Sequence, residues 1–336
     1  MDVEQAGGPG VSLSRVGVVA IGRNEGERLR RCLESVRQRV AHVVYVDSGS
    51  TDGSRELAKA LGVDCIELDL SVPFTAARAR NEGWRRLQEI APEIEWVQFV
   101  DGDCEVVGGW LEKAHEFLHT HPKAAAVCGQ RRERHPERSV YNLLCHLEWA
   151  KPPGLLKSFG GDVMLRMDAL EQVHGYRDDL IAGEEPELCV RLRARGWELH
   201  ALPEEMTLHD AAMTRFRQWW LRIVRSGYAY AAGRHLHGAP PERHCVRETW
   251  RTWIWAIGPP LLVLALWPWM AASALVVLGI YPLQVVRLYL RLPGAARDRR
   301  VLAIFHTLGR FPELVGHLQF WRDQLLGRRA KLIEYK

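Results

Sequence analysis

The chain has 336 residues, 47% of them hydrophobic and 26% charged, a balance that suits a folded protein and excludes a disordered one. Its formal charge of +4 is small, and no concentrated basic stripe with interleaved aromatics marks the first 200 residues, which argues against a nucleic-acid partner. The seven cysteines are odd in number and never paired as CxxC, so they read as reduced, cytosolic thiols filling small core volumes.

The opening "MDVEQAGGPGVSLS" is acidic and Gly-rich without an apolar run, so residues 1–14 are expected to be a loose tail and not a signal peptide. "VGVVAI" (16–21) is an unbroken β-branched run, as in a strand buried on both faces. The following segment spaces Leu29, Cys32, Leu33, Val36 and Val40 as one helix face. "HVVYVD" (42–47) is a second strand, and "STDGSRELAKALG" a capped helix ending at Gly62. "CIELDL" (65–70), the helix "TAARARNEGWRRLQEI" and the strand "EWVQFVD" (95–101) follow. Strands alternating with helices predict βαβ units and a mostly parallel, Rossmann-like α/β sheet.

Asp47 and Asp101 each end one of these strands, on the rim where open parallel sheets bind ligands. Beyond them, "WLEKAHEFLHTHP" reads as a helix and "AAAVCG" as a strand, while 131–160 reads as polar and irregular. "GGDVMLRMDALEQVHGY" predicts a short strand and helix, "EPELCVRLRARG" a helix stopped by Gly196, and "WELHALP" a closing strand. An aromatic- and arginine-rich stretch, "RFRQWWLRIVRSGY", comes next.

From Thr252 to Val286 no residue is charged. One straight helix over that run would be about 52 Å long, well beyond a hydrocarbon core of about 30 Å. Pro259, Pro260, Pro268 and Pro282 interrupt it, so a transmembrane or re-entrant hairpin over 249–291 is expected. Trp250, Trp253, Trp255, Trp267, Trp269 and Tyr281 suit its interfaces. The basic tail 292–336 should remain in the cytosol, since Arg297, Arg299, Arg300, Arg310, Arg322, Arg328 and Arg329 obey the positive-inside rule. Within it Leu314, Leu318, Trp321 and Leu325 form a stripe that fits either a membrane surface or a protein core.

Six segments in order, "AIGRNEGERLRRCLESV", "VVYVDSGSTDGS", "FTAARARNEG", "FVDGDCEV", "GGDVMLRMDAL" and "GEEPELCVRLRARG", together resemble the family 2 glycosyltransferases with a GT-A fold. The resemblance covers roughly residues 16–230 and implies a catalytic domain over 15–248, with its nucleotide part at about 15–130 and its acceptor part at about 131–248. It implies an inverting transfer of a sugar from a nucleotide-sugar donor, assisted by Mg²⁺ or Mn²⁺. By resemblance Glu25, Asp47, Asp52, Arg80 and Asp101 meet the donor nucleotide, Asp101 and Asp103 hold the metal, and His209 joins them. Asp52 reads equally as a helix cap, Arg80 as a solvated helix position, and Asp210 as either an orienter of His209 or a cap.

Family members present Glu-Asp where this chain has Glu184 and Glu185. Glu185 aligns with the general base, Glu184 and Glu187 compete with it, and all three also suit the acidic first turn of a helix. Gly161 and Asp162, with Trp219 and Arg222 from the arginine-rich stretch, fall on the acceptor side; the match to processive synthases there is imperfect. The acceptor is expected to be lipid-linked or membrane-adjacent, with membrane lipids as a further partner and the enzyme at the inner membrane, facing the cytosol. A non-catalytic scaffold and a dinucleotide oxidoreductase are the alternatives; the second lacks GxGxxG after its first strand.

Overall fold

The computed structural model describes residues 13–328 and 332–334, with 269–275 described by backbone alone. The expected tail therefore lies outside the described residues except for Leu13 and Ser14, as does Arg329, and the side chain of Trp269 goes undescribed.

In chain order the elements are β1 (Val16–Gly22), α1 (Glu27–Val36), β2 (His42–Asp47), α2 (Ser54–Ala60), β3 (Asp64–Glu67), α3 (Ala76–Ile90) and β4 (Trp96–Asp101). Then come β5 (Cys104–Val106), α4 (Trp110–Thr120), β6 (Ala124–Glu133), α5 (Val140–Trp149), β7 (Gly154–Leu155), β8 (Val163–Arg166) and α6 (Met167–Gln172). The remainder is α7 (Glu184–Ala194), β9 (Glu198–His209), α8 (Phe216–His237), α9 (Val246–Val277), α10 (Ile280–Arg291), α11 (Ala296–Leu308) and α12 (Arg310–Leu325).

The chain divides into two compact units. The first runs from the first described residue to Arg132 and adds Lys151–Tyr176 and Arg191–Asp210. Its strands form one sheet in the order β3-β2-β1-β4-β8-β6-β9-β5, with β7 on β9. The half expected from the βαβ pattern, β3-β2-β1-β4, is parallel. β8 joins β4 antiparallel, and β5 and β7 join β9 antiparallel. The β-branched runs of β1 and β2 are buried along nearly their whole length, as strands covered on both faces require. Because β1 lies between β2 and β4, their carboxyl ends open a crevice at a topological switch point.

The second unit comprises Glu133–Ala150, Arg177–Val190 and the chain from Ala211 onward. The compact division thus differs from the sequence boundary at 248: residues 211–248 belong with the helices that follow. The physical reason is a close crossing of α8 on α12. A Cβ at Gly227 would overlap the Glu313 carbonyl, and one at Gly316 the Val224 carbonyl, so only glycine lets the two backbones meet there. This settles the stripe on α12. Gly316, His317 and Phe320 are buried, whereas Leu318, Trp321 and Leu325 are exposed.

Two further expectations change. The stretch 131–160 contains α5, whose N-cap Ser139 accepts a hydrogen bond from the Asn142 N–H (3.0 Å). The transmembrane reading of 249–291 finds no support, since no helix among the described residues is long and apolar enough to cross a membrane. Secondary structure runs through Pro259, Pro260 and Pro268 as α9. Yet the Tyr281 hydroxyl donates to the Trp255 carbonyl at 2.9 Å, 26 residues back. A straight helix would hold those positions about 39 Å apart. The chain therefore folds back between them, and a turn at Leu278 and Gly279 separates α9 from α10. Exposed apolar side chains line both limbs, among them Leu261, Leu264, Trp267, Leu283, Val286 and Leu290.

Candidate functional site

The rim of the parallel half is built from two stitched loops. The Asn24 N–H donates to Ser50 Oγ (2.9 Å), the Thr51 N–H to Asn24 Oδ1 (2.7 Å) and the Gly26 N–H to Ser54 Oγ (3.2 Å). Asp47, at the end of β2, is almost fully buried. Its carboxylate accepts the Gly49 and Ser50 N–H groups (2.9 and 2.7 Å) and the Tyr45 hydroxyl (3.0 Å). Burial, then the Asp47 charge, pushes the Tyr45 hydroxyl well above its ordinary range. Asp52 accepts both the N–H and the hydroxyl of Ser54 (3.1 and 2.7 Å), the capping arrangement that the sequence offered for it. Glu25, on the facing loop, is ion-paired to Arg28 at 2.8 Å.

At the end of β4 the two acids diverge. Asp101 is bound by two guanidiniums, Arg80 at 2.9 Å and Arg131 at 3.3 Å. Arg80 is buried and so is not a solvated helix position. Arg131 also pairs with Asp162 at 2.8 Å, and Asp162 accepts the Asp101 N–H (3.0 Å) and the Thr207 hydroxyl (2.6 Å). Asp162, expected on the acceptor side, thus has its oxygens occupied by three protein donors and acts as a brace for the end of β4. Gly161 stands against the same group: a Cβ there would lie 2.6 Å from both Asp101 Oδ2 and Arg80 Nη2.

Asp103 lies beyond that brace. It is buried beside His209, with Nε2 of the ring 3.3 Å from Asp103 Oδ2. Antiparallel pairing of β5 with β9 places Cys104 directly opposite His209, and the Cys104 thiol sits 3.7 Å from Asp103 Oδ1. Ligand atoms of Asp103, Cys104 and His209 all lie within 4.8 Å of one another, as do those of Asp101, Cys104 and Asp162. The first set fits a divalent cation, because in the second the two carboxylates already face arginine. Burial, then the Asp162 charge, raises the Cys104 thiol well above its ordinary range. Asp210, next to His209, has its carboxylate 3.4 Å from Arg31.

In the second unit, α7 begins with the acidic group. Glu184 and Glu187 are buried while Glu185 is half-buried. Glu187 is held by His237 (2.9 Å). Trp219 packs in a core with Leu144, Cys145, Ala211 and Met213 and meets Phe305 edge to face, so it offers an acceptor no open face. Arg222 pairs with Glu148 at 2.7 Å. Gln218, from the same stretch, caps α8 by accepting the Thr214 and Arg215 N–H groups (2.9 and 3.0 Å).

Sequence reasoning missed Arg131, since only the β4-β8-β6 order brings it to Asp101, and an arginine at a strand end reads as solvated. As a cysteine Cys104 reads as core filling, although its place directly after Asp103 is a usable signal.

Residues 18–168 match the model of the family described as "Glycosyl transferase family 2". A TPR repeat-containing protein of Synechococcus elongatus is 29% identical over 145 residues, 43% of this chain and 34% of that protein. Glycosyltransferase AglE of Haloferax volcanii is 23% identical over 221 residues, 60% of this chain and 68% of the relative. The chain thus spans about a third of the first relative's length and about two thirds of the second's. Among solved structures, mannosyltransferase PcManGT from Pyrobaculum calidifontis, in complex with GDP-Man and Mn²⁺, superposes with a TM-score of 0.58 at 17% identity. That match covers 92% of this chain and 88% of the other, and at such identity it shows a shared fold.

Proposed function

We propose that the chain, whose residues 18–168 match the glycosyl transferase family 2 model, is an inverting glycosyltransferase that takes a sugar from a nucleotide-sugar donor. The observation that carries this reading is the buried Asp103–His209 pair beside the arginine-braced Asp101, at the switch point of the sheet. PcManGT is a mannosyltransferase whose structure holds GDP-Man and Mn²⁺, which supports a nucleotide-sugar and a divalent cation here.

Asp103 and His209 would hold Mg²⁺ or Mn²⁺, which as a Lewis acid offsets charge on a leaving diphosphate. Arg80 and Arg131 hold the Asp101 carboxylate in place. The loop of Asn24, Ser50 and Asp47 gives a rigid wall for base and ribose, with Glu25 at its mouth. Among the three acids of α7, Glu185 is the best general base: Glu187 is engaged by His237 and Glu184 is buried. It would take the proton of the attacking acceptor hydroxyl.

The exposed apolar limbs of α9 and α10 support a membrane-adjacent, lipid-linked acceptor and a place at the cytosolic face of the inner membrane. Nucleotide release from UDP-, GDP- and dTDP-sugars, with and without Mn²⁺, tests the transfer in detergent with added lipid extract. One donor should turn over in a metal-dependent way. Asp103→Ala should lower the rate at least about 100-fold, as loss of a preorganised charge contact does. Glu185→Gln should lower kcat and leave donor binding intact. Donor binding without turnover of any sugar, whatever lipid is supplied, would sink the reading in favour of a non-catalytic scaffold.

A further inference from the structure

We propose that Cys104 makes the Asp103–His209 pair a three-ligand site for a soft divalent cation, zinc above all, in competition with Mg²⁺ or Mn²⁺. The inference rests on Asp103 and His209 being metal ligands, and not on sugar transfer. Nothing in the transfer chemistry calls for sulfur there; hard cations take oxygen ligands and leave a thiol aside.

The argument begins with register. Residues directly opposite in an antiparallel pair project to the same face, and Cys104 is opposite His209. Asp103 precedes Cys104 and turns its carboxylate onto both. Its Oδ2 is 3.3 Å from His209 Nε2, and its Oδ1 is 3.7 Å from Cys104 Sγ. A tetrahedral ion with bonds of about 2.0–2.3 Å holds its ligands about 3.3–3.8 Å apart. Each carboxylate oxygen of Asp103 thus stands at such a separation from one partner, one ligand atom from each of the three lies within 4.8 Å of the others, and all three side chains are at least nine-tenths buried. Three protein ligands leave a fourth position for water or a phosphate oxygen.

Chemical type then decides the competition. Thiolate, imidazole and carboxylate together match zinc and its soft neighbours, and zinc exceeds manganese in intrinsic affinity for such donors. On binding, a bond forms between Sγ and the ion while the thiol proton passes to solvent. Cys104 is distinguished from the other thiols by this setting. Cys32, for comparison, directs its thiol to the Asp101 carbonyl at 3.7 Å and, among the described residues, joins no such group with an imidazole.

Cobalt is the probe, because Co²⁺ bound through sulfur shows a thiolate charge-transfer band in the near ultraviolet. The full chain, stripped with chelator, is titrated with CoCl₂ and then with ZnCl₂ against a chromophoric chelator. The band should appear with one equivalent of cobalt, vanish on addition of zinc, and be absent in Cys104→Ser. Cys65→Ser, at a half-exposed thiol, should keep it. The ratio of zinc to manganese affinity should fall at least about tenfold in Cys104→Ser, as expected on loss of the soft ligand.

Cobalt bound without the band, or an unchanged affinity ratio in Cys104→Ser, would overturn the proposal. The spectrum of the unmodified chain stands even if the serine variant does not fold. Nucleotide release with Mn²⁺ is read in the same preparation. Its absence beside an intact sulfur band would end the transfer reading and leave this one.

Discussion

Asp101 and Asp103 stand one residue apart yet occupy opposite electrostatic settings. The first is a structural anion clamped by Arg80 and Arg131, and the second shares a buried corner with an imidazole and a thiol. Arg131 is the hinge of the first setting, since it touches both Asp101 and the fully enclosed Asp162 carboxylate. Arg131→Gln should lower stability by on the order of 3 kcal/mol, the usual effect of stripping a cation from a buried carboxylate. Adding Asp162→Asn should recover part of that loss, and a double-mutant cycle read by urea denaturation checks the coupling. Equal and additive losses would show that the brace carries no shared energy. At this scale the acids were readable in sequence, because Asp47 and Asp101 close apolar runs. Arg131 and Asp162 were not legible as partners: their meeting depends on which strands become neighbours.

Among elements, the α8–α12 crossing shows how little side chain a close helix contact needs. Gly316→Val would drive a branched side chain into the Val224 carbonyl, and a loss of about 3 kcal/mol or more is expected from overpacking at a backbone contact. A drop in melting temperature, with the far-ultraviolet spectrum retained at low temperature, is the measurement. Next to it, His317 is fully buried, and among the described residues neither ring nitrogen has a hydrogen-bond partner. Burial, and then the Arg234 charge, hold its pKa down to about 4. With the folded value below the ordinary one, protonation favours the unfolded chain. Its contribution is therefore whole above about pH 6.5 and drains away as the pH falls toward 4. His317→Phe should flatten that limb of a stability-versus-pH curve; an unchanged limb would assign acid sensitivity elsewhere. The helical spacing of residues 310–325 was plain in the sequence. Which face turns inward was not, because the deciding residues are two glycines on different helices.

For the whole molecule, hydrophobicity alone was the weakest guide. The uncharged run 252–286 suggested a membrane hairpin; the chain does fold back there, with exposed leucines on both limbs, but no helix among the described residues is long and apolar enough to cross a membrane. Arg287, Arg291, Arg297, Arg299 and Arg300 follow closely, with Asp298 the one acid among them. Apolar side chains beside a cationic border suit an anionic bilayer surface. The full chain should co-sediment with vesicles containing phosphatidylglycerol and much less with phosphatidylcholine alone. Leu283→Asp with Val286→Asp should release it, and added salt should weaken what remains. Equal sedimentation of wild type and variant would place any membrane contact on another surface.

The sheet carries a last consequence, at its margins. Its path ends in β3, of four residues, and β5, of three, while β7 contributes two beside β9. A sheet so bordered leaves few open N–H and C=O groups in a row for a neighbouring chain to pair with. The strand that bears Cys104 and receives His209 as its partner is one of those borders. Whatever cation ties Asp103 to His209 would also pin that margin, so that the same bond which serves a ligand would guard the molecule against sticking to its own kind.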